Sequence, residues 1–265
     1  MSFIARSFIF DGVPSEEFNL VVANVGGKNQ SPGVVGSKLD IQEDRIPWRS
    51  RAIHYGTVGN DPLSFPIVFS IAKDHSYFDR YDIARIAKWL TNHQQYKKLV
   101  ICQSDAESVY YNCIITELTQ IEAGGKTIGF EAVVTCDSPF AYRIAPDTII
   151  ECTGEASVMY RCLSNTNDYY RPDMVIETEE VDLTIKNETD GTTLSFSGMT
   201  SGQKTLTICG ETLVMESSNG DNLYDCWNVD APKHVFRALG GDNQLSVTGT
   251  CSIRIKNEFP WNIGC

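Results

Sequence analysis

Only one stretch of this 265-residue chain carries a helical period. From Tyr77 to His93, the residues Phe78, Tyr81, Ala84, Ile86, Trp89, Leu90 and His93 recur mostly three or four apart. That spacing predicts an amphipathic helix laid on a core. Ser76 stands before it as a candidate N-cap, with Asp79 three residues on in a capping-box position. Everything else reads as strand and turn. Leu63, Phe65, Ile67, Phe69 and Ile71 alternate with a strict period of two, the mark of a half-buried strand. One helix among many short strands confines the chain to a mainly β architecture. The predicted class is mainly β with one helix: an α+β N-terminal domain followed by a β-sandwich.

Length supports two domains at roughly 150 residues each. Residues 1–143 hold 14 Lys and Arg against 16 Asp and Glu, net −2, while residues 144–265 hold 8 against 18, net −10. A boundary is therefore expected near Ile144–Pro146. In the first part, Ser7-Phe8-Ile9-Phe10 reads as a strand ended by the turn Asp11-Gly12-Val13-Pro14, and Phe18–Ala23 as a second strand. Gly26–Gly36 reads as a glycine-rich loop or arm. Strands follow at 98–102, 109–118 and 127–136, the last two joined by the turn Ala123-Gly124-Gly125-Lys126. The second part shows no helical period. Short β runs at 174–177, 182–186, 205–209, 212–215 and 251–256, separated by polar turns, predict the sandwich.

Composition narrows the chemistry. With 42% hydrophobic and 21% charged residues the chain can bury a core. A net charge of −12 excludes a basic surface spread over the whole fold for holding phosphates. No apolar run approaches the roughly 20 residues that span a bilayer, and Met1–Glu17 reads as no secretory signal. Nine cysteines with no C-x-x-C pair, several within apolar runs such as Val100-Ile101-Cys102, read as buried thiols in a reducing cytoplasm. The four histidines form no metal motif, and P-loop, G-x-S-x-G and G-x-G-x-x-G sequences are absent. No catalytic residue, metal site or cofactor is predicted. Glu177, Glu179, Glu180 and Asp182 form an acidic run that, as a strand, would place Glu180 and Asp182 on one face; a solvated face is the expectation.

Two clusters point to binding. Arg45, Arg49 and Arg51 surround Trp48 in the most basic stretch of an acidic protein, and arginine beside an aromatic suits an interface anchor. Identical copies offer the complementary acidic surface; nucleic acid is the rival partner. In the second part Tyr224, Trp227 and Trp261, with Phe236 and Phe259, offer flat rings that could stack on sugar, although core packing explains such rings equally well.

The order of segments resembles one family. Phe8-Ile9-Phe10-Asp11-Gly12-Val13-Pro14-Ser15-Glu16-Glu17-Phe18-Asn19-Leu20 is similar to the opening of phage distal tail proteins. Ile86-Ala87-Lys88-Trp89-Leu90, Lys97-Lys98-Leu99-Val100, Tyr110-Tyr111-Asn112-Cys113-Ile114 and Gly129–Tyr142 follow in that family's order. Arg171–Ile176 and Phe236–Leu245 resemble, less specifically, segments of its galectin-like or carbohydrate-module-like sandwich. The resemblance implies a structural tail-hub protein rather than an enzyme, with a ring-forming domain at 1–143 and an outward sandwich at 144–265. It implies a homohexameric ring at the distal end of a virion tail, assembled in the host cytoplasm without membrane insertion. The tail tube protein would stack on one face and the tail-tip or tail-fibre hub protein on the other, and DNA would cross the lumen unbound. Within such a ring Gly26–Trp48 is expected to reach a neighbouring subunit. The alternative reading is a carbohydrate-binding or adhesion protein acting through the sandwich.

Overall fold

The computed structural model describes residues 5–23, 39–72, 77–103, 108–230 and 233–262. The chain divides into two compact units, the first running through Tyr142 and the second covering Arg143–Trp261. Strands hold 53% of the residues, in accord with a mainly β class.

The first unit contains β1 (Ala5–Phe10), β2 (Val13–Pro14), β3 (Leu20–Val22), β4 (Leu39–Asp44), β5 (Ile53–Asn60) and β6 (Ser64–Ile71). After them come α1 (Arg80–Thr91), β7 (Lys97–Gln103), β8 (Val109–Ala123) and β9 (Lys126–Cys136), and β10 (Ala141–Ile144) carries the chain into the second unit. The main sheet runs β2-β1-β7-β8-β9-β6-β3. In β6 the predicted alternation is realised: Phe65, Ile67 and Phe69 are buried while Ser64 and Pro66 are exposed. Burial of such a side chain stabilises by roughly 1.5–3 kcal/mol. Pro66 is tolerated because its ring nitrogen lies beyond the end of β3, which pairs only with Phe69, Ser70 and Ile71. The β8–β9 hairpin turns through Gly124 (φ 59°) and Gly125 (φ 74°), with Ala123 opposite Lys126. Both positions are left-handed, so the two-residue turn calls for this Gly-Gly pair.

The helix is shorter than its period suggested. Ser76 lies outside the described residues, and the cap is Asp79, whose side chain accepts from the backbone N–H groups of Tyr81 and Asp82, both at 2.8 Å. Asp82 reciprocates by accepting from the Asp79 N–H at 3.3 Å. Aspartate caps as well as serine, and this reciprocal pair starts the helix at Arg80. Phe78 is instead extended, donating its N–H to the Thr127 carbonyl. The stripe is correspondingly narrower: Ile86 and Leu90 are buried, whereas Tyr81 is 82% exposed. Phe18 is likewise not in a strand. Residues Ser15–Phe18 form a 3₁₀ turn, closed by left-handed Asn19 (φ 54°), before β3 begins. That turn lays the Phe18 ring flat on Trp89, at 4.3 Å and 6°. Phe8 stacks on Trp89 at 5.7 Å and on Phe69 at 4.3 Å, and Trp89 Nε1 donates to the Phe10 carbonyl at 3.2 Å. One aromatic block thus ties α1 to β1 and β6.

The second unit contains β11 (Thr148–Cys152), β12 (Glu155–Cys162), β13 (Met174–Thr178), β14 (Leu183–Asn187), β15 (Thr192–Phe196), β16 (Lys204–Ile208) and β17 (Met215–Ser217). It ends with α2 (Leu223–Cys226), β18 (Gly241–Thr248), β19 (Cys251–Ile255) and β20 (Glu258–Trp261). Two antiparallel sheets, β11-β19-β13-β16-β17 and β12-β18-β14-β15, form the predicted sandwich. Ile150, Ile176, Leu206 and Ile253 from one sheet meet Tyr160, Ile185, Phe196 and Leu245 from the other in a single core. The late strands β18 and β19 are interior, each flanked by two neighbours, and Gly249 (φ 118°) makes the crossing between them.

Candidate functional site

Among the described residues the strands β4 and β5 pair only with each other. Their register runs from Leu39 opposite Asn60 to Asp44 opposite Ile53, with two irregularities. A two-stranded ribbon with no third strand is at best marginally stable in water. Its apolar side chains are nonetheless outside: Ile41 is 62% exposed, Tyr55 63% and Ile46 42%. The connection between the strands carries Arg45, Trp48, Arg49 and Arg51, so the structure brings all four predicted interface residues to one hairpin end. Trp48 is fully exposed and sits at φ 72°. A non-glycine residue in that region is uncommon. The Arg49 N–H closes the turn on the Ile46 carbonyl at 3.1 Å. Arg45 Nε lies 3.1 Å from Glu43 Oε1, a pair exposed enough to contribute little to stability. Exposed apolar side chains thus run along the ribbon to a basic tip. The Gly26–Gly36 stretch lies outside the described residues.

The sugar-contact candidates are spread over several elements. Tyr224 in α2 is half exposed, but its hydroxyl donates to the Leu213 carbonyl and accepts from the Met215 N–H, both at 3.1 Å. Trp227 follows α2, bridges to Phe196 and donates from Nε1 to the His234 carbonyl at 3.3 Å. Trp261 ends β20 with the Arg143 guanidinium 4.7 Å over its ring. Phe236 and Phe259 are buried core residues and offer no platform. Every ring is therefore engaged within its own unit.

The acidic run does not form one strand face. The strand β13 ends at Thr178, and two of the carboxylates beyond it anchor loops. Glu180 accepts from the Thr250 N–H at 3.2 Å and Asp182 from the Gly198 N–H at 2.9 Å. Lys204 is buried and donates to the Glu180 and Thr200 carbonyls at 2.7 and 2.8 Å. Cys113, Cys136, Cys152, Cys162 and Cys251 are buried thiols, but Cys102 is exposed because its side chain falls on the opposite face from buried Ile101. Burial pushes the Cys113 thiol up to about 12, helped by nearby Asp137. Among the described residues no group of three or more His, Cys, Asp or Glu gathers as for a metal, and no helix is long and apolar enough to cross a membrane.

Comparison with known proteins follows the same division. A family described as the phage tail protein N-terminal domain matches residues 3–138, and one described as the phage tail C-terminal domain matches residues 140–257. Among curated proteins no sequence matches. Among solved structures, the hub protein Dit (gp 19.1) of phage SPP1 superposes with a TM-score of 0.69 at 13% identity, covering 96% of this chain and 98% of that one. Two baseplate structures of phage P2, in an activated conformation with Ca and with Sr, give TM-scores of 0.46 at 10% and 12% identity. They cover 96% and 95% of this chain, and 98% and 97% of theirs. The SPP1 likeness shows a shared fold over nearly the whole length, and the two matched domains show that the chain belongs to the phage tail protein family.

Proposed function

We propose that this tail protein is a distal hub component: copies close into a hexameric ring between the tail tube and the tail tip or host-adsorption device, with DNA passing through a central channel. SPP1 Dit, which shares the fold, is described as a paradigm of hub adsorption apparatus in phages infecting Gram-positive bacteria. The observation that carries self-association is the β4–β5 hairpin, whose Ile41, Tyr55 and Trp48 stand exposed on a ribbon that pairs with no third strand among the described residues. Arg45, Arg49 and Arg51 beside Trp48 suit a neighbouring copy whose net charge is −12. The same acidity suits a conduit, since a basic lumen would hold phosphates by releasing their counterions.

Light scattering on the full chain tests the ring. Six chains of 29.5 kDa give about 177 kDa, and the wild type is expected at that mass or a whole multiple of it. Trp48→Ala removes an exposed anchor without touching either core and is expected to shift the population to smaller species. Microscopy of the large species is expected to show a central hole. A wild type monomeric at every concentration, or a Trp48→Ala variant that assembles unchanged, would refute the reading.

A further inference from the structure

The sandwich treats its two long sheet edges differently. At β15 the edge is covered: Thr193 and Ser197 donate to the Lys233 and Cys226 carbonyls, and the Asn228 N–H reaches the Ser195 carbonyl. At β12, the opposite edge of the same sheet, β18 is the only pairing neighbour among the described residues. The direction of the free groups follows from the ladder. The Glu188 N–H bonds the Gln244 carbonyl, so Gln244 points its backbone at β14. The alternate residues Asn243, Leu245 and Val247 then face β12, where they oppose Tyr160, Val158 and Ala156. The N–H and C=O groups of Glu155, Ser157, Met159 and Arg161 are therefore aimed away from β18.

Apart from its terminal charges, Glu155 and Arg161, this edge carries few of the usual guards. It runs eight residues without a register shift, holds no proline or lysine, and exposes Met159 at 58%. Its sequence is also self-complementary. In an antiparallel pair of two β12 strands with a two-fold axis at Val158, Glu155 faces Arg161, Ala156 faces Tyr160 and Ser157 faces Met159. The four outward residues of each strand become the hydrogen-bonded positions, giving about eight new ladder bonds. Opposite charges meet at both ends, each such pair favourable across strands. A parallel pairing would set Glu155 against Glu155. Another sandwich edge, β11, has five residues and would set Ile149 against Glu151, with no such match.

We propose that β12 is a homotypic docking edge, joining the four-stranded sheets of two copies into one continuous sheet about a two-fold axis. Such an isologous contact is distinct from the ring contact and doubles whatever assembly exists: a ring becomes a pair of rings, a monomer a dimer.

Native mass measurement on the full chain tests this with Glu155→Arg and Arg161→Glu. Each single variant faces like charge twice and is expected at half the wild-type mass. A one-to-one mixture restores both opposite-charge pairs and is expected to return to the wild-type mass. Ser157→Pro, which removes a donor aimed off the edge, is expected at half mass with an unchanged circular dichroism spectrum. Equal masses for wild type and the charge variants, or a mixture that stays at half mass, would overturn the proposal. The factor of two is read whether or not the ring closes, so failure of one contact is distinguished from failure of the other.

Discussion

Replacing Trp89 with alanine tests whether the aromatic block holds the first unit together. The indole is half-buried and touches Phe18 at 4.3 Å and Phe8 at 5.7 Å in near-parallel stacks, with the Phe10 ring edge-on at 6.2 Å. Truncating a buried tryptophan costs about 3–5 kcal/mol, and partial burial puts this site near the low end, ~3 kcal/mol. Trp89→Phe keeps a ring between Phe8 and Phe18 but loses the hydrogen bond to the Phe10 carbonyl, a net loss of about 1 kcal/mol. With a urea slope of ~2 kcal/mol per molar, the first unit's midpoint falls by about 1.5 M for alanine and 0.5 M for phenylalanine. Far-UV circular dichroism follows both units. In Trp89→Ala the remaining partly buried tryptophans, Trp227 and Trp261, lie in the second unit, and Trp48 of the first unit is already fully exposed, so the emission shift on unfolding reports chiefly the second unit. The second unit's midpoint is expected to hold. Equal shifts for the two variants would show that the stacks contribute nothing beyond the hydrogen bond, and the reasoning would fail.

Two further outcomes are expected. In the second unit, burial opposes ionisation of Asp190, but hydrogen bonds from Arg237 Nε at 2.8 Å and from the Thr192 hydroxyl and N–H outweigh it and hold the carboxyl below its ordinary range. A depressed folded-state pKa contributes stability above the unfolded value of about 3.9, and that stability is lost as pH falls through the lower folded value. Asp190→Asn should therefore cost roughly 1.5–3 kcal/mol at pH 7, and its melting temperature should approach the wild type as pH falls below the unfolded carboxylate value; a gap that widens in acid would contradict this. Alkylation at pH 8 should label exposed Cys102 rapidly, while Cys113 and Cys251, both pushed up to about 12 chiefly by burial, should react only on unfolding, as peptide mass mapping would show.

What was legible in the sequence was what local chemistry decides. The alternation of Phe65, Ile67 and Phe69 fixed a strand, and Gly124-Gly125 fixed its hairpin neighbour, because period and φ are local properties. The misread places are those where a distant partner decides. Phe18 looks like a strand opener, yet its ring is held by Trp89, far along the chain. The strand β12 escaped notice because its outward face carries Met159 and its inward face begins with small, half-buried Ala156, which blurs the alternation. The strand β18 opens on Gly-Asp-Asn-Gln and looks like a loop, but buried Asn243 uses its side chain to hold the Leu239 N–H and carbonyl. Of the candidate site, the Arg–Trp cluster was legible from composition. That it sits at the end of a ribbon lacking a third strand was not, since pairing partners are absent from a single sequence.

The interior placement of β18 and β19 bears on when the second unit can fold. Thr148 pairs with Ile255 and Glu155 with Thr248, so both sheets close through contacts spanning about a hundred residues. During synthesis, β11–β17 emerge first as strands with a gap where each central member belongs. Neither sheet is continuous until β18 and β19 have left the ribosome, and high contact order of this kind makes closure slow. A chain stopped before Gly241 would hold a second unit with open inner edges on both sheets, a species prone to capture strands from its neighbours.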